Sequence, residues 1–314
     1  MDQRIFIHDV VARDGLQIEP QWVPTERKIE LIDLLSATGV AKIEATSFVS
    51  PKAVPNLRDA EAVMAGITRS PALAYVALVP NARGAERALA AGVDEMVLVV
   101  SASETHNRAN VRRSVAQSFA GFSGVFDVVR GSGKPIVGAL ATSFGCPFEG
   151  AISGRQVEDC VARYVDLGVA GVTLADTTGM ANPRQVEALV GRVRERWPQL
   201  DLALHFHNTR GMGLANVLAG LSAGVVRYEA TLGGLGGCPF APGATGNICT
   251  EDLVHMLACM GYRTGVDLDL LLAASRRLAE IVGHELPGQV VKAGKATDLH
   301  ASPPELAKLS DSLR

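Results

Sequence analysis

The sequence predicts an α/β protein folded as a (β/α)₈ TIM barrel with additional helices at its C-terminal end. Three observations predict this fold. Eight short, apolar, β-branched runs alternate with amphipathic stretches between residues 4 and 261. The runs are apolar enough to be buried on both faces, as the strands of parallel sheets are. The length of 314 residues also suits a single barrel of this class.

The first four strand–helix units lie between residues 4 and 130. Strands are predicted at 4–10 (RIFIHDV), 42–48 (KIEATSF), 73–79 (LAYVALV) and 95–101 (EMVLVVS). Apolar residues at helical spacing predict helices at 25–39, 57–67, 83–92 and 110–130. In the first helix, Thr25 can cap the N-terminus and Gly39 can end the helix.

The last four units follow between residues 135 and 261. Strands are predicted at 135–143 (PIVGALATS), 170–177 (AGVTLADT), 202–208 (LALHFHN) and 225–232 (VVRYEATL). Helices are predicted at 154–168, 182–197, 213–224 and 249–261. We therefore divide the chain into a catalytic barrel over 1–265 and a helical extension over 266–314 that packs on it. A doubly wound open sheet is the alternative, but no G-x-G-x-x-G motif follows the first strand.

The composition indicates an ordinary globular protein of a reducing compartment. The chain is 47% apolar and 20% charged, with a net charge of −3, so no basic face for nucleic acid is expected. Five scattered cysteines without a C-x-x-C pair argue against a disulfide framework. The first residues show no targeting segment, and no apolar run approaches the roughly 18 residues that span a bilayer. We expect a cytoplasmic protein with neither nucleic-acid nor membrane partners.

Polar residues gather where the predicted strands end, which is the catalytic face of a (β/α)₈ barrel. They are Arg13, Asp14 and Gln17 after the first strand, Glu44 and Ser47 on the second, Asp176 and Thr177 on the sixth, His205 and His207 on the seventh, and Glu251 and Asp252 after the eighth. An Asp-Gly turn, a buried carboxylate or a helix cap explains each of them singly. None of these explanations accounts for their common position.

Two histidines flank a phenylalanine in the motif LHFHN (204–208). Residues two apart in a strand face the same side, so His205 and His207 point to one place. Alone, such a pair is more often two solvated histidines at a strand end than a metal site. With the carboxylates nearby, it predicts a divalent-metal site for Mg²⁺ or Mn²⁺, with Co²⁺ as a further candidate. Zinc amidohydrolases also carry H-x-H on a barrel strand, but near the chain start and with additional histidines.

Five motifs of the chain resemble the hydroxymethylglutaryl-CoA lyases of the metal-dependent lyase barrel superfamily. They are RDGLQIE (13–19), IEATSFVSPK (43–52), GCPFEG (145–150), HFHN (205–208) and GLGGCPFAPGATGNICTEDLVHML (234–257). The resemblance runs from about residue 4 to about residue 265. Its last motif is highly specific, so the similarity goes well beyond a coincidence of two histidines.

The resemblance implies cleavage of 3-hydroxy-3-methylglutaryl-CoA, or a related 3-hydroxyacyl-CoA, to acetyl-CoA and a 3-keto acid such as acetoacetate. The implied metal ligands are Asp14, His205, His207 and Asn247, and the other implied active-site residues are Arg13, Gln17, Glu44, Asp176, Cys238 and Glu251. Arg13 can stabilise the developing thioester enolate. Cys238, on a glycine-rich loop, is a candidate to deliver the final proton or to close the site, although it could equally be a buried, inert thiol.

The chain departs from the family near the expected substrate site. Ala53 stands where many members have tryptophan, and Arg210 follows the histidines in a segment that commonly reads Asp-Thr-Tyr-Gly-Gln. Space opened at Ala53 would favour a C3 substituent bulkier than methyl, unless a neighbouring side chain fills it. Arg210 can bind a carboxylate or a CoA phosphate, or point into solvent. Together with Gln17 and Ser47, these two residues are our predicted substrate contacts.

Three functions stay open on the sequence alone. The first is the acyl-CoA lyase, for which we expect an acyl-CoA substrate and a homo-oligomer. The second is a Claisen-type condensing synthase of the same superfamily, which resembles isopropylmalate synthases. Those enzymes usually append a regulatory domain, and the roughly fifty residues after 262 leave little room for one. The third is a non-catalytic acyl-CoA binder, which is disfavoured because every metal and arginine position is filled.

Overall fold

The computed structural model describes residues 3–237 and 246–301, and a closed barrel of parallel strands forms its centre. The strands, labelled β1 to β8, are Phe6–Asp9, Lys42–Ser47, Ala74–Leu78, Glu95–Ser101, Ile136–Ala141, Gly171–Asp176, Asp201–Phe206 and Arg227–Ala230. Each strand pairs with the next along the chain, and β8 pairs with β1. The predicted (β/α)₈ barrel is confirmed, and each predicted strand end lies within two residues of the observed one.

Helices surround the barrel. In the described part of the chain they are Thr25–Ser36 (α1), Ala60–Gly66 (α2), Ala82–Ala90 (α3), Glu104–Val111 (α4), Val115–Val129 (α5), Gly154–Leu167 (α6), Pro183–Arg196 (α7), Gly213–Ser222 (α8), Thr250–Cys259 (α9), Leu268–Val282 (α10) and Val290–Ala293 (α11). Within residues 3–237 and 246–301, no helix has both the length and the apolar character needed to cross a membrane.

The single helix predicted over 110–130 is wrong, because the structure has two helices there, α4 and α5. Arg112 adopts a left-handed conformation, with φ of 57°, and ends α4. Ser114 then begins α5 through a capping box with Gln117, in which each side chain bonds the other residue's backbone amide. The S-x-x-Q pattern that marks this second start was overlooked in the sequence analysis. The break places Arg112 and Arg113 on the wall of the cavity described below.

Packing outside β7 decides where its two histidines point. Leu204 faces α8, where Gly220 makes room for it, since a Cβ on that glycine would lie 2.5 Å from Leu204 Cδ1. Alternation along the strand then directs His205 into the barrel, and His207 follows on the same side. Both imidazoles are buried, with 6% of His205 and 4% of His207 exposed. The prediction of two solvated histidines at a strand end is therefore excluded.

The chain that follows the barrel packs against the helix layer and against the loop after β8. Arg277 of α10 donates through Nε to Glu30 of α1 at 2.6 Å. The amide of Gly288 donates to the carbonyl of Gly233, in the loop after β8, at 3.1 Å. This part of the extension therefore supports a loop at the catalytic end of the barrel. The boundary between barrel and extension stays a prediction.

A glycine in β5 determines how closely α6 approaches the sheet. The ring of Tyr164 lies over Gly138, where a Cβ would come within 2.6 Å of the ring carbon Cδ1. The Tyr164 hydroxyl donates to the carbonyl of Leu98 at 2.8 Å and to that of Ala139 at 3.1 Å. These two hydrogen bonds hold the ring in place, so it cannot move aside without losing them.

Replacing Gly138 with alanine should therefore lower the free energy of unfolding by about 1–3 kcal/mol, the usual cost of overpacking. Gly191→Ala in α7 is the matched control, because no atom lies within 4 Å of the added Cβ. That change should raise stability by about 0.5–1 kcal/mol, since glycine weakens a helix interior. Urea unfolding followed by circular dichroism measures both variants. Equal midpoints for the two variants would contradict this account of the β5–α6 contact.

Candidate active site

A cavity of about 830 Å³ lies at the carboxyl ends of the strands. The predicted site residues that line it are Arg13, Asp14, Gln17, Ala53, Thr177, His205 and His207. Much of the remaining wall is apolar and includes Leu78, Val79, Val99, Val111, Phe122 and Ala139. The cavity therefore combines a cluster of ionisable groups with an apolar wall, which is the usual character of a site for a small organic ligand.

A single π-helical turn, Val11–Gly15, follows β1 and presents Arg13 and Asp14 to the cavity. Asp9 holds this turn, because its Oδ1 accepts from the amide of Val11 at 2.9 Å and its Oδ2 accepts from the hydroxyl of Thr250 at 2.7 Å. Burial raises the pKa of Asp9 to about 7. Isolated π turns occur mainly at functional sites, and the sequence analysis did not foresee this one.

Arg13 is held between two carboxylates. Its Nε and Nη2 both lie 2.6 Å from Oε2 of Glu44, and its Nη1 lies 2.6 Å from Oδ1 of Asp14. Burial raises the pKa of Glu44 to about 7, although the charge of Arg13 opposes this rise. The paired contact with Glu44 fixes the plane of the guanidinium, which keeps its charge at any physiological pH.

Asp14, His205 and His207 form a cluster in which one ligand atom from each lies within 4.8 Å of the others. The two imidazole centroids are 5.1 Å apart. Burial alone would raise the pKa of Asp14, but the positive charges of Arg13 and the histidines outweigh it and lower the pKa to about 2. Burial and the neighbouring His205 lower the pKa of His207 to about 3. An ionised carboxylate and a neutral imidazole are the forms that bind metal.

Two buried polar atoms at this cluster lack hydrogen-bond partners in the described part of the chain, as ligand atoms of a cation site would without their ion. Within the described residues, Nδ1 of His207 and Oδ1 of Asn247 are buried and lack any hydrogen-bond partner. The amide nitrogen of Asn247 donates to Oδ2 of Asp14 at 2.8 Å and to the carbonyl of Leu235 at 3.3 Å, so its oxygen is left for another ligand. Buried acceptors without a partner are costly unless an ion or ligand satisfies them. Two imidazoles, a carboxylate and an amide oxygen suit a divalent cation.

Glu229 on β8 is a site residue that the sequence analysis missed. Its Oε2 lies 3.0 Å from Nδ1 of His205, and its Oε1 accepts from the hydroxyl of Thr173 at 2.8 Å. Burial raises the pKa of Glu229, but the hydrogen bond with His205 lowers it overall. The contact orients the imidazole and leaves its Nε2 for a metal, as carboxylate–histidine pairs do. The alternation in RYEA (227–230) was the available clue, since it puts both charged residues on one face.

Two predicted substrate contacts do not line the cavity. Ser47 is buried, and its hydroxyl donates to the carbonyl of Leu78 at 3.4 Å. Arg210 donates through Nη1 to the carbonyls of Thr178 and Gly179, at 3.0 and 2.9 Å. Arg210 therefore braces the loop after β6. It is also exposed, which accords with the predicted solvent-facing position, and the contact with a carboxylate or a CoA phosphate stays a prediction.

Three predicted catalytic carboxylates also lie off the cavity wall: Glu44, which contacts Arg13 as described above, Glu251 and Asp176. Glu251 is completely buried and accepts from the amide of Gly233 at 2.9 Å and from the hydroxyl of Ser275. It thereby holds the loop after β8 against the C-terminal extension. Asp176 is buried at the end of β6, and its Oδ2 has no hydrogen-bond partner among the described residues. Burial raises the pKa of Asp176 to about 6. Cys238 lies outside the described residues.

Comparisons with known proteins agree with this geometry. Residues 4–278 match the family model described as HMGL-like. The hydroxymethylglutaryl-CoA lyase YngG of Bacillus subtilis is 43% identical over 295 residues, which cover 94% of this chain and 99% of the relative. The (R)-citramalyl-CoA lyase of Chloroflexus aurantiacus is 43% identical over 302 residues, covering 93% and 95%.

One solved structure extends the agreement to the whole fold. It is the HMG-CoA lyase from Acinetobacter baumannii in complex with coenzyme A and 3-methylmalate, which is 55% identical to this chain. The two superpose with a TM-score of 0.92, over 96% of this chain and 98% of the other. With the eight-stranded barrel and the Asp-His-His cluster already in place, these matches establish the family: the chain belongs to the hydroxymethylglutaryl-CoA lyase family.

Proposed function

We propose that the protein is a divalent-metal-dependent lyase that cleaves a 3-hydroxyacyl-CoA to acetyl-CoA and a keto acid. The observation that carries the proposal is the Asp14–His205–His207 cluster beside Arg13, in which both histidines are buried and Asp14 is partly buried, on the wall of a partly apolar cavity. The family supports 3-hydroxy-3-methylglutaryl-CoA as the first substrate to test. The equal identity to a citramalyl-CoA lyase makes citramalyl-CoA the second.

The residues would divide the chemistry as follows. Asp14, His205, His207 and Asn247 would hold Mg²⁺ or Mn²⁺, with Co²⁺ as a further candidate. A bound divalent cation acidifies a coordinated hydroxyl and orients the bond beside it. Glu229 would orient His205, and Glu44 would position the guanidinium of Arg13.

Cleavage breaks the bond between C2 and C3 of the thioester. The hydroxyl loses its proton, C3 becomes the ketone of the keto acid, and the electron pair moves onto the thioester as an enolate. Arg13, which lines the cavity, would stabilise the negative charge on the thioester oxygen. The enolate carbon then takes a proton and gives acetyl-CoA, and Cys238 stays a candidate either to deliver this proton or to close the site.

The complex of the Acinetobacter relative with coenzyme A supports an acyl-CoA as the ligand of this chain. A direct assay uses the purified protein, Mn²⁺ or Mg²⁺ and each of the two thioesters, with acetyl-CoA as the measured product. Release of acetyl-CoA that EDTA abolishes supports the lyase. Condensation of acetyl-CoA with a keto acid as the faster direction would favour the synthase instead. The cytoplasmic location and the homo-oligomeric state stay predictions of the sequence.

Removing one metal ligand should weaken both metal binding and turnover. We expect His207→Ala to lower Mn²⁺ affinity and acetyl-CoA release by at least about tenfold, because an imidazole nitrogen is lost from the shell. His300→Ala is the matched control, since that histidine is exposed and does not line the cavity. Electron paramagnetic resonance titration measures the affinity. Parent-like Mn²⁺ affinity in His207→Ala would remove this residue from the shell.

Removing the charge of Arg13 should destabilise the transition state more than the bound substrate. Arg13→Met is expected to lower kcat by about 10²–10³-fold with KM little changed, the scale for losing one oxyanion-stabilising donor. Arg13→Lys keeps the charge but not the paired contact with Glu44, so its kcat should fall between those of the parent and Arg13→Met. Steady-state kinetics measures all three proteins. A kcat of Arg13→Met within a few-fold of the parent would exclude Arg13 from the mechanism.

The acyl preference is tested at Ala53, which lies on the exposed loop after β2 and lines the cavity. If this position leaves room for a longer C3 substituent, kcat/KM should favour a longer 3-alkyl analogue over the methyl thioester by at least roughly tenfold. Ala53→Trp should then reverse the preference, because an indole would fill the space. A parent that prefers the methyl thioester, with a ratio unmoved in Ala53→Trp, would contradict the enlarged pocket.

A further inference from the structure

Three cations line the cavity away from the metal cluster: Lys52, Arg112 and Arg113. All three are exposed, and within the described residues none of them forms a salt bridge. The acidic residues that line the same cavity, Asp14 and Glu229, are already engaged with Arg13 and His205. The rim of the cavity therefore carries uncompensated positive charge.

Arg112 occupies a position where glycine would be the favoured residue. It follows the last residue of α4 with φ of 57° and ψ of 32°, and its amide closes the helix on the carbonyl of Arg108 at 3.0 Å. Side chains other than glycine and asparagine rarely adopt this conformation, and they weaken the fold when they do. Strain of this kind is typical of ligand-contacting positions, so the side chain of Arg112 is expected to contribute something other than stability.

Arg113 is supported from two sides. The Arg113 guanidinium lies against Gly121 in the middle of α5. A Cβ added to Gly121 would lie 2.9 Å from Nη1 of Arg113, so only a glycine leaves room for the guanidinium there. Its carbonyl accepts from Nδ2 of Asn107 at 2.9 Å, and Oδ1 of that asparagine accepts from the amide of Ser101 at 3.0 Å. Asn107 is only 1% exposed. The buried side-chain amide of Asn107, on α4, therefore ties the segment that carries both arginines to Ser101 at the end of β4.

We propose that Arg112 and Arg113, assisted by Lys52, bind the phosphate groups of the coenzyme A part of the substrate. This inference rests on the proposed function. A CoA thioester carries its reacting acyl group at one end and its phosphates at the other. With the acyl group at the metal cluster, the phosphates lie towards the exposed rim, where the two guanidinium groups offer the forked donors that bind phosphate oxygens.

Calorimetric titration of free coenzyme A into the parent protein and into Arg112→Gly and Arg113→Met tests the proposal without any catalytic step. Each variant should bind coenzyme A at least about tenfold more weakly, and Arg112→Gly should do so without a fall in Tm, because glycine relieves the strain. Arg108→Met is the matched control, since this exposed cation on α4 pairs with Glu104 and does not line the cavity. It should bind coenzyme A within twofold of the parent.

Two further ligands identify the contact. Pantetheine, which has no phosphate, should bind the parent and both variants alike. Dephospho-coenzyme A lacks only the 3′-phosphate: if it binds parent and variants equally, the arginines hold that phosphate, and if the variants still bind it more weakly, they hold the diphosphate. Coenzyme A affinities of both variants within twofold of the parent would overturn the proposal. A parent that binds coenzyme A but releases no acetyl-CoA from any thioester would instead count against the proposed lyase.

Discussion

The ion contacts of Arg13 are the constraint on which the rest of the site depends. Through Glu44 they tie the turn after β1 to β2, and through Asp14 they reach Asn247 in the loop after β8. Removing one partner from this partly buried set leaves a charge without its counter-charge, which would cost about 3–5 kcal/mol at full burial and costs less here. The cation that would stabilise an enolate and the carboxylate that would bind metal are therefore oriented by the same contacts.

The two histidines of β7 share a strand face but differ in their surroundings. Nδ1 of His205 lies 3.0 Å from Oε2 of Glu229. Burial lowers the pKa of His205, but the carboxylates of Glu229 and Asp14 outweigh burial, so the pKa is raised overall. Among the described residues no carboxylate bonds Nδ1 of His207, and the pKa of this histidine falls to about 3 because of burial and the charge of His205. A divalent cation held by Asp14, His205 and His207 would compensate this arrangement, because it would give His207 a partner and offset the charge of the carboxylates.

Several charged residues near the cavity support loops instead of facing a ligand. Glu251 holds Gly233 and so connects the loop after β8 to the C-terminal extension, and Arg210 binds the carbonyls of the loop after β6. Loops at this end of a barrel carry chemistry only if they keep their shape, so such contacts affect activity indirectly. Proximity in sequence to a metal ligand is therefore a weak guide to a role in catalysis.

The sequence by itself determined the alternation of strands and helices, the shared face of His205 and His207, and the family motifs. Each of these is a property of one segment, because period 2 or 3.6 and a local motif need no knowledge of distant residues. Only the tertiary structure decided that Glu229 meets His205, that Asp9 receives a hydrogen bond from Thr250, and that Arg210 donates to the carbonyl of Thr178. Those contacts depend on how the barrel closes and which way each loop leaves its strand, and packing between distant segments sets both.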